Sequence, residues 1–140
     1  FRKFSFCLAK NLTRELGIFE KVFFLGKSKR IEQITSISDV FLLPSEKESF
    51  GLVALEAMAS GVAVVSSNVG GLPEVNKDGV TGFLNEVGDI EGMIASVLTI
   101  LKDNDTLDRF KTNALKHSQN FDLKKIVPVY EKLYLSLVNC

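Results

Sequence analysis

The run Val40-Phe41-Leu42-Leu43-Pro44, a polar loop, the segment Leu52 to Ala59 with Gly61 behind it, and then Val62-Ala63-Val64-Val65 decide the fold. Both apolar runs are short and continuous, without the alternation of a half-exposed strand. Such runs belong to strands covered on both faces. Pro44, which has no N–H to donate to a ladder, stops the first run. A strand, a helix and another buried strand in this order argue for a parallel sheet with helices on both sides.

Outward from this stretch the alternation continues. Toward the N-terminus, Lys21 to Leu25 contains the β-prone run Val22-Phe23-Phe24-Leu25, closed by Gly26. Ile31, Ile34 and Ile37 then form an amphipathic helical stripe. Before them, Phe4, Leu8, Leu12 and Leu16 recur at near-helical spacing up to Gly17, which describes a first helix. Toward the C-terminus, the loop Asn68-Val69-Gly70-Gly71-Leu72-Pro73 leads to a weaker strand at Phe83-Leu84, and beyond it the pattern is helical. Asp89 is placed to cap a helix carrying Ile90, Met93, Ile94, Val97, Leu98 and Leu101. A second helix spans Thr106 to Ser118. A third runs from Leu123 to Val138, with an apolar stripe suited to the core or to packing against another domain and a kink expected at Pro128. The expectation is one α/β domain over residues 1–140, a Rossmann-like parallel sheet flanked by helices.

At 140 residues and 46% apolar composition the chain can fill one core. Its 17 basic and 17 acidic residues balance, so no electrostatic footprint for nucleic acid or anionic lipid is present. Cys7 and Cys140 have no metal-ligand spacing and are too few for a disulfide framework, which points to a reducing cytoplasm. No apolar run reaches the roughly 18 to 20 residues of a membrane span. The chain starts at Phe1 and enters a helix at once, so further sequence is expected upstream.

In open α/β sheets ligands bind beyond the carboxyl ends of the strands. The loop after the first decisive strand reads Pro44-Ser45-Glu46-Lys47-Glu48-Ser49-Phe50-Gly51-Leu52. Ser49 is the expected N-cap of the helix that follows. The amides of Phe50, Gly51 and Leu52 would then lack intrahelical partners at a positive dipole end, an anion site suited to a diphosphate. Gly51 would let a phosphate approach the backbone. Glu56, about 6 Å further along the axis at 1.5 Å per residue, leans back toward that end and can accept hydrogen bonds from a diol such as a ribose. Glu48, on the loop side, can do the same for sugar hydroxyls. Gly70, Gly71, Gly79 and Gly82 leave two readings open, plain turn glycines or a phosphate-facing loop. His117, the single histidine, has no acid or nucleophile near it in sequence and is expected to be a bystander. Glu46, Glu48 and Asp39 lack the aspartate pair or histidine that would support a metal, and none is expected.

The two glutamates around Ser49-Phe50-Gly51-Leu52, continued by Glu56-Ala57-Met58-Ala59, Gly61, Gly70-Gly71-Leu72-Pro73-Glu74 and Asp78-Gly79 through Gly82, resemble the donor-site signature of group 1, family 4 glycosyltransferases of the two-domain GT-B fold. The resemblance covers nearly the whole chain, as the C-terminal, nucleotide-sugar-binding domain without its first strand. It implies a hexosyltransferase that retains anomeric configuration by front-face displacement, with no enzymic nucleophile and no cofactor. Glu48 would orient the donor sugar, and Ser49, Phe50, Gly51 and Leu52 would hold the diphosphate. Glu56 would take the ribose hydroxyls, and Gly26 and Lys27 would meet the uracil. Leu25-Gly26-Lys27, the Pro44 to Leu52 loop and the ending Phe121-Asp122 to Tyr130-Glu131 are similar, more narrowly, to the subfamily that transfers N-acetylglucosamine from UDP-N-acetylglucosamine to L-malate in bacillithiol biosynthesis.

The resemblance also implies a basic pair and a whole N-terminal domain upstream, the latter carrying the pocket for a small hydroxy-acid or sugar acceptor. The fragment alone is then expected to be inactive. Ala63 stands where the family frequently has proline and Ser60 where the subfamily often has cysteine, both away from the donor loop. Competing readings are another hexosyltransferase, an epimerase of the same fold, a non-catalytic nucleotide-binding module and a dinucleotide-dependent oxidoreductase. The donor motif argues against the epimerase, and Glu48, Gly51 and Glu56 argue against the non-catalytic module. No Gly-x-Gly-x-x-Gly turn supports the oxidoreductase.

Overall fold

The structure, a computed structural model, describes residues 2–138, with side chains from Phe6 onward; Phe1, the Phe4 side chain and Cys140 lie outside the described residues. The elements are α1 (Arg2–Glu15), α2 (Ile31–Ser36), β1 (Val40–Leu43), α3 (Leu52–Ala59), β2 (Ala63–Ser67), α4 (Leu72–Val75), β3 (Gly82–Asn85), α5 (Ile90–Ile100), α6 (Asn104–Ser118) and α7 (Leu123–Val138). The three strands form one parallel sheet in the order β1-β2-β3. Val40 pairs with Ala63 and Leu43 with Ser66, while Val64 pairs with Gly82 and Ser67 with Asn85.

The continuous apolar run of β2 has its cause in two cores, one on each face of the sheet. Val62 and Val64 join Ala54, Ala57, Met58, Leu72, Val75 and Ala114 on one side. Ala63 and Val65 join Met93, Ile100 and Phe110 on the other. Successive strand residues point to opposite faces, so a strand buried on both carries a continuous apolar run, here up to Val65, with the buried Ser66 and Ser67 at its carboxyl end. Burial of each of these valines stabilises the fold by about 1.5 to 3 kcal/mol relative to exposure. α3 and α4 cover the first face and α5 the second, and α6 reaches both through Ala114 and Phe110. At Gly82 a β-carbon would overlap the Val64 carbonyl, so the close approach of β3 to β2 requires glycine.

The expected helix starts and stops hold with small shifts. Asp89 caps α5, its carboxylate accepting from the Gly92 amide at 2.9 Å. α6 begins at Asn104, ahead of the expected Thr106, because Asp103 caps it by accepting from the Thr106 amide at 2.7 Å. α7 continues through Pro128.

One expectation fails, and one of the two alternatives for α7 falls away. Val22 is extended, but the run to Leu25 pairs with no strand among the described residues, and Phe23 and Leu25 are exposed. Phe24 packs edge to face on Phe6 of α1, with centroids 5.3 Å apart. A β-prone run becomes a strand only where another strand satisfies its backbone. The apolar stripe of α7, in turn, reaches neither core, since none of its residues is buried.

Candidate functional site

The site forms where the loop after β1 meets the turn after β2, at the carboxyl ends of two adjacent parallel strands. Gly51, at φ +95, sits in the left-handed region and is the residue immediately before α3. Ser49 is therefore not the N-cap: the chain turns at Gly51, and no side chain caps the helix. The Ser49 carbonyl instead accepts from the Gly71 amide at 3.1 Å. With no capping side chain, the N–H groups of Phe50, Gly51, Leu52 and Val53 have no acceptor among the described residues. Ala54 is the first residue of the helix whose amide is engaged, donating to the Gly51 carbonyl at 3.0 Å. A row of unengaged amides at a helix N-terminus, entered through a left-handed glycine, is the kind of backbone arrangement that attracts anions in general.

Glu48 is half-buried at the loop side of this row, its carboxylate accepting from the Ser49 amide at 3.0 Å. Glu56 lies on α3, exposed, and lines a cavity of about 150 Å³ with Val53, Ile31, Glu32, Thr35 and Phe41. The cavity thus adjoins the same first turn that carries the unengaged amides. Glu32, a second carboxylate on its wall, was not among the residues expected from sequence, because only the packing of α2 against α3 brings it there. Gly26 and Lys27 lie on the exposed loop that leads to α2; neither lines a described cavity nor makes a hydrogen bond among the described residues.

Phe50 packs edge to face on Phe121, with centroids 6.1 Å apart, and Phe121 packs likewise on His117 at 5.4 Å. Phe121 thus stands between His117 and Phe50 of the loop. Phe50, Leu52 and Phe121 continue into an apolar groove of about 560 Å³ along α7, lined also by Ile126, Tyr130 and Leu133. Polar recognition groups on one side and an apolar wall on the other suit an elongated ligand with a charged centre.

The sequence matches the family described as Glycosyl transferases group 1 over residues 8–117. The chain belongs to the group 1 glycosyl transferases. Among relatives of this glycosyl transferase, N-acetyl-alpha-D-glucosaminyl L-malate synthase of Bacillus anthracis is 43% identical over 136 residues, 96% of this chain and 35% of that protein. D-inositol 3-phosphate glycosyltransferase of Mycolicibacterium vanbaalenii is also 43% identical, over 116 residues, 79% of this chain and 25% of that protein. Among solved structures, Anabaena HepE in complex with UDP superposes with a TM-score of 0.82 at 30% identity, covering 99% of this chain and 38% of its own. The chain thus spans 25% to 38% of the length of these three relatives. Among the described residues of this group 1 glycosyl transferase, no helix is long and apolar enough to cross a membrane.

Proposed function

We propose that this glycosyl transferase domain binds a nucleoside diphosphate sugar, UDP-N-acetylglucosamine, and that the enzyme it belongs to transfers the sugar to the hydroxyl of L-malate with retention of configuration. The observation that carries the proposal is the row of unengaged amides from Phe50 to Val53, flanked by Glu48 on the loop and Glu56 one turn along the helix. The amides receive the diphosphate, whose negative charge the helix dipole favours. Glu56 accepts from the ribose hydroxyls in the cavity beside α2. Glu48 accepts from the sugar hydroxyls and fixes the face of the anomeric carbon. The amides also stabilise the charge that develops on the leaving diphosphate, so the chain contributes positioning and electrostatic stabilisation to the transfer. Gly26 and Lys27 are assigned to the uracil side.

Support for uridine comes from the Anabaena protein crystallised with UDP, and support for N-acetylglucosamine and malate from the resemblance to the malate synthase. The acceptor group is assigned to a separate N-terminal domain, consistent with the quarter to two fifths of each relative that this chain spans. The equal identity to the inositol 3-phosphate enzyme favours one alternative, a phosphorylated polyol as acceptor of the same donor.

Calorimetric titration of the protein with UDP, UDP-N-acetylglucosamine and ADP, beside Glu56→Ala, tests the donor. UDP-selective binding that Glu56→Ala weakens by about tenfold or more is expected, the loss of a hydrogen-bonded charged acceptor. Equal binding of ADP would remove the uracil preference assigned to Gly26 and Lys27, and no effect of Glu56→Ala would remove Glu56 from the donor site. Transfer assays with malate and inositol 3-phosphate then separate the acceptors.

A further inference from the structure

The loop from Pro44 to Gly51 has little of its own to hold it. Glu46, Lys47, Ser49 and Phe50 are exposed, and no side chain caps α3. Its backbone is nevertheless met, residue by residue, by the turn after β2. A β-carbon on Gly70, at φ +58, would overlap the Glu48 carbonyl. One on Gly71 would stand 2.7 Å from the Phe50 Cα and 2.8 Å from the Ser49 carbonyl oxygen, and the Gly71 amide donates to that same oxygen at 3.1 Å. The fully buried Leu72 closes the row: its Cδ2 lies 2.7 Å from where a β-carbon of Gly51 would be. Backbone against backbone at this separation admits no side chain larger than hydrogen.

We propose that Gly70, Gly71 and Leu72 form a clamp that sets the direction of the Phe50 to Val53 amides, and so the affinity for the diphosphate; this rests on the donor assignment above. Amides bind an anion tightly only when their N–H vectors converge, and a displacement on the order of 1 Å forfeits much of that. A methyl group at residue 70 or 71 forces either the turn or the loop to move. The turn is anchored two elements deep. Leu72 and Val75 are buried in the core, and the buried Asn76 donates to the Val64 carbonyl, the Ser66 hydroxyl and the Phe83 carbonyl. The loop is exposed and gives way instead. Gly70, Gly71 and Leu72 are positioning residues that act through Glu48, Ser49, Phe50 and Gly51.

NMR-detected titration with UDP and with uridine separates this role from a general structural one, because the diphosphate reports on the amides and the nucleoside does not. The proteins compared are the wild type, Gly70→Ala, Gly71→Ala, Leu72→Val and, as control, Gly88→Ala. Gly88 shares the left-handed φ, at +85, but an added β-carbon there meets nothing within 4 Å. In Gly70→Ala and Gly71→Ala the ratio of UDP to uridine affinity is expected to fall about tenfold or more with uridine binding retained. Leu72→Val lowers the ratio in the same direction, and Gly88→Ala leaves it unchanged. An unchanged ratio, or parallel loss of both ligands in folded variants, would overturn the clamp. Where circular dichroism shows an alanine variant unfolded, Leu72→Val decides, and an unchanged ratio there overturns it. A wild-type protein that binds neither ligand overturns the donor assignment itself, before any variant is made.

Discussion

The side-chain amide of Asn76 donates to the Val64 carbonyl, the Ser66 hydroxyl and the Phe83 carbonyl at 3.0 to 3.1 Å, and its oxygen accepts from the Thr81 hydroxyl at 2.8 Å. Asn76, Ser66 and Thr81 are all fully buried, so each lost partner leaves a polar group without water to replace it. Asn76→Leu, which keeps the volume and removes the bonds, is expected to cost about 2 to 4 kcal/mol in denaturant unfolding. A loss below about 0.5 kcal/mol would mean that the network is dispensable. No motif in the sequence marks this asparagine, since its partners lie on two strands and a turn. Glu48, Gly51 and Glu56 stand out in the sequence as candidates, because a loop ending in glycine before a helix and a carboxylate one turn on have local spacing. Ser49 was misjudged as a cap for the same reason. Sequence shows a residue type that caps helices, while the left-handed turn at Gly51 arises where Leu72 presses on it.

Among the elements, α6 owes its start to Asp103, whose carboxylate accepts from the Thr106 amide and whose pKa is lowered by that bond. A carboxyl with a depressed folded-state pKa stabilises the fold above its unfolded value and loses that contribution as pH falls through the folded value. Asp103→Ala is therefore expected to lower the melting temperature at neutral pH. The gap from wild type should narrow as the pH is taken below the ordinary aspartate range, and a gap independent of pH would argue against the charged cap. The run Val22-Phe23-Phe24-Leu25 shows the opposite case. Its propensity is that of a strand, yet a strand is a pairing, and no partner lies beside it among the described residues. Helices such as α5 and α6 satisfy their backbones internally and announce themselves by period and cap, so their limits were read to within a few residues.

For the molecule as a whole, both cores are drawn from residues between Ala54 and Ala114, and α7 adds no buried side chain to either. A chain ending at Asp122 is expected to unfold cooperatively within about 1 kcal/mol of the longer one; a loss above about 3 kcal/mol would make α7 part of the folding unit. The groove between α7 and Phe50 would then belong to function more than to stability. By itself, the sequence determined the parallel α/β class and the family. Strand burial on both faces forces continuous apolar runs, and the donor signature is contiguous in the chain. Only the tertiary structure decided which amides are unengaged, that Glu32 shares a cavity with Glu56, and that Gly70 and Gly71 press on the loop. Each of these joins residues distant in sequence, and their separation in space follows from the order in which β1, β2 and β3 pair.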